Sequence, residues 1–336
     1  MTLGHGAGGK LTHDLVEEVF LSRLDSATLG ELGDAAVLAR PLAGRFAFTT
    51  DSFVVRPLFF PGGDIGKLAV NGTVNDLAVS GAEPLYLSAG FILEEGLEID
   101  VLHRIADSMA AAARTAGVEI VAADTKVVER GKGDGVFINT AGVGRLLDGQ
   151  ALSPKAAVAG DRLLLTGTLG DHGLSVYLAR QDLGIEVPVQ SDCAPLNQIL
   201  LPMLREFPGE IRFMRDLTRG GAATILNELA AQGGNEVLVD EEAVPVAPAV
   251  RGACEMLGFD PLYLANEGKA LVVVSAAAAE KVLEFLRARD LGRNAAIVGE
   301  VRGAAPSGKP IVLLRTSVGG LRILDPLIED QLPRIC

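Results

Sequence analysis

The chain has 336 residues, enough for two domains at roughly 100–200 residues each. Hydrophobic residues make up 49% and charged residues 22%, which allows a buried core and excludes a disordered chain. The net charge of −13 excludes a broad phosphate-backbone interface with nucleic acid, which needs clustered Lys and Arg, but permits a nucleotide held through Mg²⁺.

The opening "MTLGHGAGGK" lacks the apolar stretch of a secretion signal. The segments "AVLARP", "RFAFTTDSFVV" and "GVFINTAGVGRLL" have strand composition and period. Between them, "DIGKLAVNGTVNDLAVSG" places Ile65, Leu68, Ala69, Val74, Leu77 and Ala78 on one helix face, closed by Gly81 and Pro84. "VLHRIADSMAAAARTAG" reads as a helix stopped by Gly117, and "VEIVAADTKVVE" as a strand running into a polar loop. Small residues and Pro cluster in "LLDGQALSPKAAVAGD", predicting a boundary there. The second half restarts as strand, glycine-rich turn and helix in "DRLLLTGTLGDHGLSVYLAR". It continues with helices in "CAPLNQILLPMLREF", "GAATILNELAAQGG" and "AAAAEKVLEFLRARD" and strands in "ALVVVS" and "AAIVGEVR". From Asp325, "DPLIEDQLPRIC" has two prolines and no sustained period, so it reads as a tail. The expected division is therefore 1–150, 151–325 and a mobile tail, 326–336. Apolar runs such as "ALVVVSAAAA" are too short to span a bilayer. The cysteines, Cys193, Cys254 and Cys336, form no metal or disulfide pattern. A soluble cytoplasmic protein with reduced thiols is expected. Cys193 and Cys254 read as inert core thiols in apolar helical contexts.

Asp34, Asp51, Asp76 and Asp216 stand in "LGDAAVL", "TTDSFVV", "VNDLAVSGAEP" and "MRDLTRGG". Each alone suits a cap or turn. Together they suit Mg²⁺, because a hard cation takes carboxylate and phosphate oxygens, and bare carboxylates side by side would repel. Glycine-rich "GHGAGGK", "LTGTLGDHG" and "TRGGAAT" match no P-loop, although backbone N–H groups in such loops can cradle phosphates.

The set "GHGAGGK", "LGDAAVL", "TTDSFVV", "GDIGKLAVNGTVNDLAVSGAEPLYLS", "ADTKVV", "RDLTRGG", "ANEGK" and "PRIC" resembles the HypE hydrogenase maturation factors. These belong to the ATP-dependent aminoimidazole ribonucleotide synthetase and selenophosphate synthetase superfamily. The resemblance spans essentially the whole chain and implies an α/β (α+β) two-domain fold. In it, a β-rich N-terminal domain dimerises, a C-terminal α/β domain closes the cleft, and a flexible tail follows. It implies a homodimer binding Mg²⁺–ATP, with Asp34, Asp51, Asp76 and Asp216 as metal ligands. Gly6, Gly8, Gly9, Lys10, Lys67, Asn71, Asp124 and Thr125 would lie at the nucleotide.

The resemblance also implies a reaction. A partner carbamoyltransferase, HypF, loads Cys336; the protein dehydrates the S-carboxamide with ATP to a thiocyanate; the cyano group then passes to iron on a HypC–HypD complex. Phosphorylating the carboxamide oxygen replaces a poor leaving group by phosphate, a step that needs positioning and charge neutralisation. Lys126 would stabilise the oxyanion or phosphate and Glu267 would remove a proton, although by residue type alone the two better suit a surface pair or two solvated loop charges. His172 either lines this site or is loop surface. Ten residue steps separate Pro326 from Cys336, so an extended tail reaches on the order of 33–36 Å. Two other readings stay open at this point: a superfamily enzyme acting on a free small molecule, and an ATP-gated assembly scaffold. Neither has a use for the sulfur of Cys336. No nucleic-acid or membrane partner is expected.

Overall fold

The computed structural model describes residues 1–6, 10–24, 26–30, 36, 44–181, 187–304, 308–327, 332 and 335–336. The strand expected in "AVLARP", the residues Gly8, Gly9 and Asp34, and Arg334 in the tail lie outside the described residues.

The first half is a four-stranded sheet. Its strands are β1 (Phe46–Phe53), β2 (Ala82–Glu94), β3 (Glu119–Val128) and β4 (Val136–Leu146), in the order β1-β4-β2-β3. Only the β2–β3 pair is parallel. Helices α1 (Ile65–Val79) and α2 (Ile99–Ala116) pack on one face and meet at Gly66, where an added Cβ would lie 2.5 Å from the Ile105 carbonyl oxygen. Gly117 ends α2 with a left-handed cap, as the sequence predicts. The opposite face stays open, with Phe48 71% and Ile92 45% exposed.

Strand β2 is one of the elements the sequence reading does not place, as are Ile211–Asp216, Glu236–Asp240, Pro248–Leu257, Val312–Arg315 and Leu321–Ile323 in the second half. Pro84 near its start reads as a helix stop, yet Pro84 sits at a bulge against β4, where a missing N–H costs no ladder bond.

The second half carries a seven-stranded sheet. Its strands are β5 (Arg162–Leu165), β6 (Ile211–Asp216), β7 (Glu236–Asp240), β8 (Ala270–Val274), β9 (Ala296–Gly303), β10 (Val312–Arg315) and β11 (Leu321–Ile323). The order is β11-β10-β7-β9-β5-β8-β6. Helix α3 (Asp171–Arg180) follows β5, α4 (Asn197–Glu206) precedes β6, α5 (Gly221–Gly233) follows it, and α6 (Pro248–Leu257) and α7 (Ala279–Arg287) complete the layer. Side chains alternate across strands, so Leu163 and Leu165 join α5 in one core while Leu164 joins α4 and α7 in another. Strand β8, covered on both faces, is the continuous apolar run "ALVVV", every residue of it buried. Residues of α3 and α6 join the core of the first half, so the two halves share buried surface. Among the described residues, no helix is long and apolar enough to cross a membrane.

Candidate active site

Helix α1 is the spine of the site. Asp64 caps it, accepting from the Gly66 N–H at 2.8 Å and the Lys67 N–H at 3.1 Å. Of its residues, only Lys67 and Asp76 escape full burial. Its polar side chains therefore project into protein, and each needs a partner. Asn75 Nδ2 donates to the carbonyls of Ala194 and Glu267, both at 3.1 Å, and its Oδ1 accepts the Leu196 N–H at 2.7 Å. One side chain thus pins the two halves together. Asn71 Nδ2 lies 3.4 Å from Cys193 Sγ, while its buried Oδ1 has no partner among the described residues. Lys67 Nζ donates to the Gly62 carbonyl at 2.9 Å, and Asp76 accepts the Thr49 hydroxyl at 2.8 Å.

Around α1 stand Asp51 on β1, Asp216 at the end of β6, and Glu267 just before β8. Their proton affinities are coupled. Burial, with the field of Asp76, raises Asp51; burial also raises Asp76. Asp216 is pushed up to about 7, first by burial and then by Asp76. Glu267 is raised well above the carboxylate range by burial and by Asp216, Asp192, Asp51 and Asp76, and its buried Oε1 has no partner among the described residues. The backbone of Glu267 is firmly placed: Asp192 accepts the N–H groups of Glu267 at 3.0 Å and Gly268 at 3.1 Å, and pairs with Lys269 at 3.6 Å. Gly268 is required, because a Cβ there would lie 1.9 Å from the Asp192 carbonyl oxygen. Among the described residues, no three acidic, His or Cys side chains converge as a ready ligand set, and Asp34 cannot be assessed. Buried oxygen donors that repel one another fit a hard divalent cation that brings phosphate and water ligands of its own.

A second group of expected residues lies elsewhere. Asp124, Thr125 and Lys126 are on β3, and Lys126 Nζ bridges both Asp124 oxygens at 2.8 and 3.0 Å, lowering that carboxyl. The 3₁₀ turn Leu3–Gly6 packs against β3, and exposed Lys10 opens the short helix Lys10–Leu15. Pairing sets Ser52, Asn139, Gly90 and Asp124 in one row across the sheet. At about 4.8 Å per strand, β3 lies roughly 14 Å from β1. Within one chain, then, Lys126 is not brought to Glu267.

The end of the tail docks on α3 and on the residue that follows β1. Ile335 is buried, its carbonyl accepts from His172 Nε2 at 3.0 Å, and the Cys336 carbonyl accepts the Val54 N–H at 3.2 Å, three residues from Asp51. His172 is no loop residue: it lies fully buried in the first turn of α3.

The AIR synthase related protein N-terminal domain matches residues 32–146, and the C-terminal domain of that family matches residues 158–308. Carbamoyl dehydratase HypE of Rhodobacter capsulatus is 51% identical, over 100% of this chain and 98% of its own length. The chain belongs to the HypE family of carbamoyl dehydratases. A solved HypE in complex with ATP superposes with a TM-score of 0.95 at 48% identity, covering 100% of this chain and 99% of that one. A HypE–HypF complex matches with a TM-score of 0.81 at 47% identity, covering 93% and 99%. The HypE match includes the tail, and with it the expected α/β two-domain fold.

Three residues of this HypE site escaped sequence reasoning. Asn75 was hidden among apolar neighbours on its helix. Ser191 and Asp192 sit in an irregular segment with no motif, and nothing in the sequence ties them to His172 and Glu267. Cys193 is buried as expected, but it stands in the site against Asn71, outside any helix. Cys254, in α6, is an ordinary core thiol.

Proposed function

We propose that this chain uses ATP to dehydrate a carbamoyl group carried on its own Cys336, yielding the thiocyanate from which the cyanide ligand of a nickel–iron hydrogenase is drawn. The observation that carries the proposal is the docking of the tail end on His172 and Val54: Ser191, which bonds His172, precedes the Asp192 that holds the Glu267 backbone, and Val54 follows the strand that carries Asp51. A reacting sulfur placed there needs no diffusing substrate, and positioning replaces a bimolecular encounter.

Asp51, Asp76 and Asp216, with Asp34, would hold Mg²⁺, which neutralises phosphate charge. Lys67 and Asn71, on the same helix as Asp76, are assigned to the nucleotide. Glu267 is the proposed base: burial among acidic neighbours raises its proton affinity, so its ionised form, once populated, is a strong acceptor for a proton of the amide nitrogen. Lys126 is assigned to the developing phosphate oxygen. Gly6, Gly8, Gly9, Lys10, Asp124 and Thr125 are assigned to the nucleotide.

The separation of these two groups supports a homodimer. In a two-fold pair each residue set meets the other chain's complementary set. The open face of the first sheet, with exposed Phe48 and Ile92, is the proposed contact. HypF would deliver the carbamoyl group and a HypC–HypD complex would accept the cyano group. The proposed setting is the cytoplasm, where thiols stay reduced.

The test is a mass measurement. Purified protein is given a carbamoyl donor system and Mg²⁺–ATP, and the peptide ending at Cys336 is weighed. The adduct should lose one water only with ATP. Cys336→Ala should abolish both adduct and loss. An adduct that keeps its water in the presence of ATP, or ATP turnover and maturation intact in Cys336→Ala, refutes the proposal.

A further inference from the structure

Both ring nitrogens of His172 are committed. Nε2 lies 3.0 Å from the Ile335 carbonyl oxygen, and that oxygen can only accept, so Nε2 carries the proton. Full burial holds the imidazole below its ordinary range and keeps it neutral. Nδ1 is therefore bare and accepts the Ser191 hydroxyl at 2.8 Å. Ser191 Oγ in turn accepts the Cys193 N–H at 3.1 Å, and the Ser191 N–H donates to the Pro61 carbonyl at 2.8 Å. Phe60 meets the ring edge-on, with centroids 5.4 Å apart. The ring cannot turn without breaking one of these contacts, so its tautomer and direction are set from outside.

Two further facts give this arrangement a use. The residue after Ser191 is Asp192, whose carboxylate holds the backbone of Glu267 and Gly268. The residue after Ile335 is Cys336, whose carbonyl accepts from Val54. Segment 191–193 thus steadies His172 on one side and the Glu267 loop on the other. The His172 and Val54 contacts with the tail both end at peptide carbonyls, those of Ile335 and Cys336.

We propose that His172 is a positioning residue: held by Ser191, it fixes the last peptide of the tail, and so the placement of Cys336, through a main-chain contact that does not depend on the group the sulfur carries. This rests on the reading of Cys336 as the reacting residue. The His172 contact is to the Ile335 carbonyl, so it can persist while the tail carries the thiol, the carboxamide or the thiocyanate.

The test reads docking and chemistry separately. Iodoacetamide alkylation of Cys336 in the intact protein, followed by mass, reports how often the tail is released. His172→Phe keeps the ring volume but loses the donor, and should speed alkylation on the order of tenfold. His172→Gln, whose amide can donate, should recover most of the protection. In single turnovers His172→Phe should slow loss of water by a similar factor with the KM for ATP unchanged. Ser191→Ala should move both readouts in the same direction by a smaller factor. Should His172→Phe not fold, nitrogen-15 spectra of the wild-type ring decide: Nε2 protonated and Nδ1 bare, with both signals shifting when residues 335–336 are deleted. Equal alkylation in wild type and a folded His172→Phe overturns the inference, as do ring signals unmoved by the deletion. If instead the carbamoylated wild type loses no water with ATP while His172→Phe still releases the tail, the dehydratase reading fails and the positioning role stands.

Discussion

Asp216→Asn should flatten the pH dependence of stability in the metal-free protein. Asp216 is buried at the end of β6, and burial and Asp76 push its carboxyl from an ordinary 3.8 to about 7. A carboxyl raised in the folded state binds its proton more tightly there than in the unfolded chain. Its contribution is fully present below pH 3.8 and is lost as pH rises through about 7. Between pH 5.5 and pH 8 that loss is about 2 kcal/mol for this one group. Asp51, Asp76 and Glu267 are raised as well, so the variant keeps a residual slope of the same sign. The assay is urea unfolding at several pH values in EDTA, comparing wild type with Asp216→Asn. The variant should lose about 2 kcal/mol less across the window, and Mg²⁺ should reduce the wild-type slope by favouring the ionised carboxylates. Identical slopes in the two proteins, or wild-type stability that rises with pH, would refute the electrostatic account of the cluster.

Other outcomes follow from single contacts. Asn75→Leu removes three buried hydrogen bonds that join the halves and should cost about 3–5 kcal/mol in urea unfolding; a loss under about 1 kcal/mol would contradict the pinning role. Gly268→Ala forces the Glu267 loop away from Asp192 and should slow ATP-dependent dehydration on the order of a hundredfold while lowering stability by about 1–3 kcal/mol; full activity in a folded variant would contradict the tight fit. Intact mass after iodoacetamide at pH 8 should show one adduct, at Cys336. Cys193 is buried with its thiol pushed far up, and burial puts Cys254 at about 11, so a second adduct without denaturant would show the core to be open. Phe48→Asp on the open sheet face should convert the proposed dimer to monomer in sedimentation and abolish dehydration together; a monomeric variant with full activity would place Lys126 outside the chemistry.

By itself the sequence determined the class of chemistry and most of the local structure. Carboxylates at the ends of apolar segments, "ADTKVV", and a sulfur at Cys336 specify reacting groups. Helical period and glycine stops place α1 and α2, because these depend on neighbours three and four residues apart. What needed tertiary structure were contacts between residues distant in the chain. Strand β2 is licensed by a bulge against β4 that no local pattern encodes. Asn75 matters only because Ala194, Leu196 and Glu267 arrive around it. The expected pairing of Lys126 with Glu267 looks local to one chain in sequence, yet the strand order sets Lys126 three positions from Asp51. His172 shows the same limit most plainly. "GDHG" reads as an exposed turn, since a short polar motif says nothing of what covers it. Only the arrival of Phe60, Ser191 and Ile335 buries the ring, leaves it neutral and gives each nitrogen a partner.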